Sequence, residues 1–312
     1  MSKKGVEQKP SYTALFAALY RAIANKEFKN EGFGSDYLAE YFLPSLYKYL
    51  IKFKVIRASI KNKSNKLTPG VYEYTLARTV FFDSVFTDAL NKNIPQIVLL
   101  GAGYDTRAYR FARLNNGTRI FELEIAPTLN RKKKYLKKVK IDFPKHAILV
   151  PIDFNNESLR NVLENAGYDS NQKTLFMWEG VSYYLEPDSV DATLEFIKNF
   201  SHDESVIAFD YAISISGENV NNYYGAKEFT ETWRKRRSGE PFRFTVSEGK
   251  IESFLKQRGL KMVKHLDNKQ IEKMFLLNEN GSLVGQITGL FRFAMASSNS
   301  NPQSKASVTR TS

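Results

Sequence analysis

From Gln96 to Phe293 short apolar runs alternate with stretches of helical periodicity, and no other feature restricts the fold as much. The runs stand at Ile97–Leu100, Ile120–Leu123, Ile148–Ile152, Leu175–Trp178, Val206–Phe209, Met262–Val263 and Ile287–Phe293. Helical spacing fills most of the gaps, at Arg107–Leu114, Leu129–Val139, Leu159–Ala166, Val190–Phe200 and Ile251–Arg258. An apolar strand followed by a helix, repeated, builds an α/β fold with a doubly wound, mostly parallel sheet covered on both faces. The last two runs have no long helix after them, which leaves room for an antiparallel edge.

Residues 11–95 are mostly helical in pattern, with Tyr20, Phe28, Tyr37, Leu38, Tyr41 and Phe42 as expected buried anchors. Thr68-Pro69-Gly70 interrupts that region, and a second helix is expected at about 72–91. Residues 211–245 form an irregular insertion after the fifth strand, rich in Tyr, Asn and Arg. Residues 1–10 and 296–312 are polar and poor in apolar side chains, so disordered ends are expected there.

Composition removes several chemistries. With no cysteine among 312 residues, disulfides, thiolate catalysis and Cys-based metal sites are excluded. His146, His202 and His265 stand far apart, with no two at ligand spacing, so no metal site is expected. No run approaches the roughly 20 apolar residues of a membrane span, and Arg21 breaks the N-terminal ALFAALYRAI. The expectation is a soluble, cytoplasmic protein with no membrane partner. The formal charge of +13 suits contact with anions.

The stretch Gln96–Phe111, QIVLLGAGYDTRAYRF, runs a strand into a glycine turn and then a helix. Doubly wound sheets bind ligands beyond the carboxyl ends of their strands, near the turn after the first. Gly101 fits the tight turn, and Gly103 lets a ligand approach the backbone. A dinucleotide fingerprint asks for a third glycine at 106, where this chain has Thr, and Asp105 sets a negative charge beside the supposed phosphates. That counts against a nicotinamide cofactor and suits a ligand with a cationic centre. Glu124 ends the second strand 21 residues after Gly103, where a carboxylate accepts from ribose hydroxyls. Glu122 shares its strand parity and should face the same side. Asp153 with Phe154 follows the third strand, fit to accept from an adenine amine and to pack on the base. Glu179-Gly180 ends the fourth. Acids gathered at one sheet edge repel one another unless cations or N–H donors lie among them.

These residues carry a resemblance. Ala77-Arg78-Thr79, VLLGAGYDTR at 98–107, Phe121-Glu122-Leu123-Glu124, Val150–Phe154 and Trp178-Glu179-Gly180 with Val181–Leu185 are similar to the serial motifs of the leucine carboxyl methyltransferase family. Ser238–Pro241 and Phe254–Leu260 are similar to its microbial branch of S-adenosylmethionine-dependent O-methyltransferases, often associated with polyketides and other small acids. The likeness spans roughly residues 11–295. It implies one methyltransferase domain over 11–295, with a helical cap at 11–95 and a class I, Rossmann-like, seven-stranded core at 96–295. It also implies S-adenosylmethionine as cofactor. Arg78 would pair with the cofactor's carboxylate, Glu179 with its amino group, Glu124 with its ribose and Asp153 with its adenine. Asp105 would help orient the amino-acid end. Glu124 stands where the family usually has Asp, and Pro127 follows it by three residues rather than two.

Methyl transfer from a sulfonium to oxygen is chiefly a matter of positioning, and an ionised carboxylate acceptor needs no general base. That accords with the lack of any recognisable Ser-His-Asp constellation, and no catalytic base is assigned. Tyr104, Tyr183, Tyr184 and Arg234 are candidates for the acceptor pocket, the tyrosines equally readable as core or rim aromatics. The acceptor is expected to be a small carboxylate or hydroxyl compound, and the basic run Arg234-Lys235-Arg236-Arg237 in the insertion would form a cationic rim that attracts an anion. A protein C-terminus, a modified tRNA base and a nicotinamide-dependent reaction stand as alternatives, with nucleic acid disfavoured. The run RKKKYLKKVK at 131–140, with Tyr135, Leu136 and Val139 as a narrow apolar stripe, reads as a helix covering the sheet with a solvated outer face.

Overall fold

The computed structural model describes residues 11–29, 32–215, 217–236 and 242–298. Ahead of the sheet lie helices α1 (Tyr12–Glu27), α2 (Ser45–Leu50), α3 (Lys54–Leu67) and α4 (Val71–Asn91). Then follow β1 (Gln96–Leu100), α5 (Arg107–Arg110), β2 (Arg119–Glu124), α6 (Ala126–Lys138), β3 (Ala147–Pro151) and α7 (Leu159–Asn165). After these come β4 (Thr174–Trp178), α8 (Pro187–Asn199), β5 (Val206–Ser214) and α9 (Ala226–Arg236). The chain continues through β6 (Val246–Ser247), α10 (Ile251–Gln257), β7 (Lys261–Leu266), α11 (Asn268–Phe275) and β8 (Phe291–Ser297).

The sheet order is β3-β2-β1-β4-β5-β8-β7, with β1 to β5 parallel and β8 antiparallel to both β5 and β7. The winding reverses at β1, so loops leaving the carboxyl ends of β1 and β4 diverge and open a crevice between them. Alternate strand residues serve the two faces. Ile97, Leu99 and Ile120 pack with the N-terminal helices, whereas Val98, Leu100, Phe121 and Leu123 pack on the other side.

Helix α4 is buried on nearly all sides, which requires apolar residues around most of its circumference. Every residue from Tyr74 to Thr79 is buried. Phe81 stacks on Phe293 of β8 at 4.6 Å between ring centroids, and Tyr74 on Phe291 at 4.4 Å. Such pairs add about 0.5–1.5 kcal/mol each beyond the area they bury. They hold α4 against β8 and carry Arg78 into the crevice.

The fold departs from expectation in several places. The sheet has eight strands, not seven: β5 outruns its neighbours, and β6 covers the exposed edge at Ile213 and Ser214. The insertion therefore begins past Ser214 and not at 211. The final strand lies four residues later than its apolar run, and Ile287 to Leu290 lead into it. It extends past the expected boundary at 295, because Ala296 and Ser297 pair with Ile207 and Val206. Ser298 adds a bond from its N–H to the Ser205 carbonyl at 3.3 Å. Residues 1–10 and 299–312 lie outside the described residues. The helix expected at Arg107–Leu114 stops at Arg110. Leu38 and Phe42 are buried, but Tyr37 is 53% exposed. Its neighbour Asp36 turns inward to accept from the N–H groups of Leu38 and Ala39 and to pair with Arg21, which sends Tyr37 outward.

Candidate active site

The carboxyl ends of β1 to β4 open onto one cavity of about 1480 Å³. Arg78, Gly101, Gly103, Tyr104, Asp105, Glu124, Asp153, Phe154, Glu179, Tyr183 and Tyr184 all line it. The Arg234 side chain and the motif residues 238–241 lie outside the described residues.

The turn after β1 explains its glycines. Gly101 has φ +73°, and a Cβ there would lie 2.4 Å from Cγ2 of Val181. A side chain would separate the β1 turn from the loop after β4. The Gly103 N–H donates to Glu124 Oε2 at 2.8 Å, while the Ile125 N–H donates to Oε1 at 2.9 Å. The two backbone bonds aim the carboxylate along the cavity wall at the end of β2. Asp153 is half-buried beyond β3, accepting from the Asn155 N–H at 3.0 Å and from Asn156 Nδ2 at 2.6 Å. Phe154 packs, half-buried, against the core on that side of the sheet.

Two guanidinium groups separate the acids at the centre. Arg78 Nε meets Glu179 Oε1 at 3.0 Å, and its Nη1 lies 3.3 Å from Asp210 and 3.4 Å from the Tyr183 hydroxyl. Arg107 meets the other oxygen of Glu179 at 2.7 Å and Asp83 at 2.7 Å, and it also bonds Asp105. Asp210 accepts from the Gly180 N–H at 2.6 Å and from the Tyr74 hydroxyl. Gly180 lies against Arg78, so a Cβ there would sit 2.9 Å from Nη1.

Burial and charge set the protonation of these groups. Burial raises the Asp210 carboxyl despite Arg78 and the Gly180 N–H. Burial also acts to raise Asp105, but Arg107 and Lys132 outweigh it and leave this carboxyl lowered. Burial and Asp210 hold Tyr74 and Tyr183 well above the ordinary phenol range, and burial pushes Tyr104 up to about 12. None of these phenols serves as a base near neutrality.

Comparison with known proteins decides the family. The family model for leucine carboxyl methyltransferase matches residues 14–198, more than half of the chain. The chain belongs to the leucine carboxyl methyltransferase family. Over 240 residues it is 32% identical to YktD of Bacillus subtilis, provisionally named an S-adenosyl-L-methionine-dependent methyltransferase, covering 74% of this chain and 76% of YktD. A similarly named protein of Mycobacterium tuberculosis, Rv3399, is 32% identical over 160 residues, 51% of this chain and 45% of that one. Among solved structures, a provisionally named methyltransferase from Thermobifida fusca superposes with a TM-score of 0.54 at 15% identity, covering 93% of this chain and 96% of the other. A DUF574 protein from Streptomyces avermitilis gives 0.57 at 12% identity, covering 93% and 98%. At such identities the likeness is one of fold, and that fold is the class I methyltransferase sheet with its N-terminal helices.

Within this family member the central charge cluster is larger than its sequence motifs suggested. Arg107 stood in the glycine-turn motif without a role. Asp210 was legible only as an acid directly after the apolar run Val206–Phe209, and Asp83 as an acid in a helix otherwise rich in aromatics. Asp83 is gripped by Arg107 and twice by Arg110, at 2.7 and 2.8 Å. Tyr104 is 2% exposed and stacks on Phe42 at 5.0 Å, so it braces the turn as well as lining the cavity. Tyr183 is likewise buried, and Tyr184 is half-buried beside it at 4.7 Å between centroids.

Asp83 carries a pH dependence. Burial raises its carboxyl, but Arg110 and Arg107 override that and bring it from 3.8 down to about 2. A carboxyl lowered on folding stabilises the native state above its unfolded pKa and loses that contribution as pH falls through its folded one. Unfolding free energy should therefore drop by about 2 kcal/mol between about pH 4 and pH 2 relative to an Asp83→Asn variant, whose curve lacks this component. Urea titrations of both proteins across that range check it; parallel curves contradict it.

Proposed function

We propose that the protein is an O-methyltransferase that methylates a small carboxylate or hydroxyl compound, with S-adenosylmethionine as donor. Methyl transfer from that cofactor accords with the family and with the names of its relatives. The nicotinamide-dependent alternative finds no support there. The observation that carries the finer reading is the convergence of a guanidinium and successive strand-end carboxylates on one cavity.

The residues present fit the cofactor. Gly101 and Gly103 bring backbone without side chains to the cavity lining, where a nucleoside would lie. Glu124 and Asp153 offer acceptors for hydroxyl and amine donors, and Phe154 offers an apolar surface for a base. Glu179 would hold an ammonium, and Arg78, whose Nη2 takes no part in the bonds above, would hold a carboxylate through a charge-assisted pair. S-adenosylmethionine supplies an electrophilic methyl group when bound. The chain's own part is to orient, to exclude water and to present the acceptor oxygen. Because burial keeps Tyr74, Tyr104 and Tyr183 protonated, a carboxylate acceptor, already ionised, demands least of these residues. Residues 11–298 would then act as one catalytic domain.

Arg78→Ala and Asp153→Ala are each expected to weaken S-adenosylmethionine binding by about 1–3 kcal/mol, the usual cost of losing a polar or charged hydrogen-bond partner. Titration calorimetry measures both. Unchanged affinity in the two variants would rule out this assignment of roles. Labelled methyl donor, incubated with the protein and a cell extract, tests the acceptor. A small, base-labile labelled product is expected, since methyl esters hydrolyse in mild alkali and aryl ethers do not. Label on protein or tRNA would overturn the small-molecule reading.

A further inference from the structure

Between Tyr41 and Tyr72 the chain carries seven basic residues and no acid. Arg57 and Lys61 are neutralised by Glu27, at 3.4 and 2.5 Å. Lys52, Lys54, Lys63 and Lys66 are exposed and form no ion pair among the described residues. Large apolar side chains stand exposed among them: Leu46 is 64% exposed, Tyr49 56%, Phe53 48% and Val55 79%. Tyr49 and Phe53 touch edge to face at 5.4 Å, and Leu46 lies one turn before Tyr49 on α2, so these three share one face, with Val55 two residues beyond Phe53. Single exposed apolar residues are ordinary, but a contiguous set set among unpaired lysines marks a contact surface.

The patch adjoins the cavity. Tyr47 and Lys63 belong both to this segment and to the cavity lining. Tyr12 and Phe16 of α1, 71% and 47% exposed, line the same opening. The mouth of the cavity is thus rimmed by apolar side chains that face solvent.

We propose that the face formed by α2 and the start of α3 docks on an anionic lipid surface, bringing the cavity mouth against the membrane. Leucine, valine and aromatic side chains enter the boundary between headgroups and acyl chains, while lysines reach back to anionic headgroups. Charge complementarity selects this occupant. A two-fold contact between two copies would set this acid-free segment against itself. Tyr49 and Phe53 offer rings to nucleic-acid bases, but the exposed aliphatic Leu46 and Val55 suit acyl chains and give bases nothing to stack on. No described helix is long and apolar enough to cross a membrane. The contact is therefore peripheral, and it revises the expectation of no membrane partner. It does not depend on the assigned methyl acceptor.

Co-sedimentation with vesicles tests it. The protein is expected to bind vesicles of equal phosphatidylglycerol and phosphatidylcholine, to leave pure phosphatidylcholine vesicles unbound, and to be released by high salt. Lys52→Glu combined with Lys54→Glu should weaken binding by at least about tenfold while the melting temperature holds. A Phe53→Trp variant gives a second readout: with the parent's Trp178 and Trp233 emission subtracted, the added component should shift to the blue on anionic vesicles only. Absence of binding, binding that survives charge reversal, or an unshifted emission overturns the proposal. So does a preference for single-stranded RNA over anionic vesicles, or a dimer that covers these residues.

Discussion

Replacing Arg107 by methionine is expected to lower the stability of the protein by about 3–5 kcal/mol, the usual consequence of removing one partner from a buried ionic group. Arg107 is 3% exposed, and its guanidinium holds Asp83, Asp105 and Glu179 together. Methionine matches much of its length but offers no donor, so three carboxylates would face one another with little water. Asp83 keeps Arg110 and Glu179 keeps Arg78, which limits the loss at those two. Asp105 keeps the backbone N–H of residue 107, and its lowered carboxyl should rise most. Urea unfolding at neutral pH measures the change, with Arg107→Lys as a partner variant that keeps the charge and loses the forked geometry. A methionine variant within about 1 kcal/mol of the parent would mean that the cluster is not held together by this residue.

How far the sequence reveals the site depends on how local each signal is. Glu124, Asp153 and Glu179 each end an apolar run, so strand pattern alone set them at one sheet edge, and all three line the cavity. Arg78 emerged only through resemblance to the family, because a buried helix has no face that marks one position as special. The partners that neutralise the acids come from distant segments: Arg78 meets Asp210 across 132 positions and Arg107 meets Glu179 across 72. Such pairings follow from sheet order, and the insertion of β8 between β5 and β7 cannot be read from local spacing. Aromaticity alone does not bury Tyr37, because inward-facing Asp36 decides the turn and sends the next side chain outward.

The basic helix after β2 does turn Lys133, Lys134, Lys137 and Lys138 to solvent, but one lysine departs from that face and provides the sharpest test. Thr128, Leu129, Lys132 and Leu136 form the buried side of the helix. Their spacing by three and four residues places Lys132 inward despite its charge. Its Nζ meets Glu122 Oε2 at 2.7 Å, with both side chains fully buried. Glu122 and Glu124 do share a face, as parity requires, but α6 covers the first and leaves the second at the cavity. Lys132→Met is expected to cost about 3–5 kcal/mol, whereas Lys132→Met combined with Glu122→Leu should restore the parent's stability or exceed it by about 1–4 kcal/mol. Burial already raises the Glu122 carboxyl against the pull of Lys132. Without that lysine it should rise further, so the single variant's deficit shrinks as pH falls and Glu122 takes a proton in the folded state. A raised folded pKa gives stability below the unfolded value and loses it as pH climbs, which fixes the sign. Unfolding curves for parent, single and double variants at pH 5 and pH 8 decide the matter. A deficit equal at both, or a double variant no better than the single, would mean that the pair is not what Lys132 contributes.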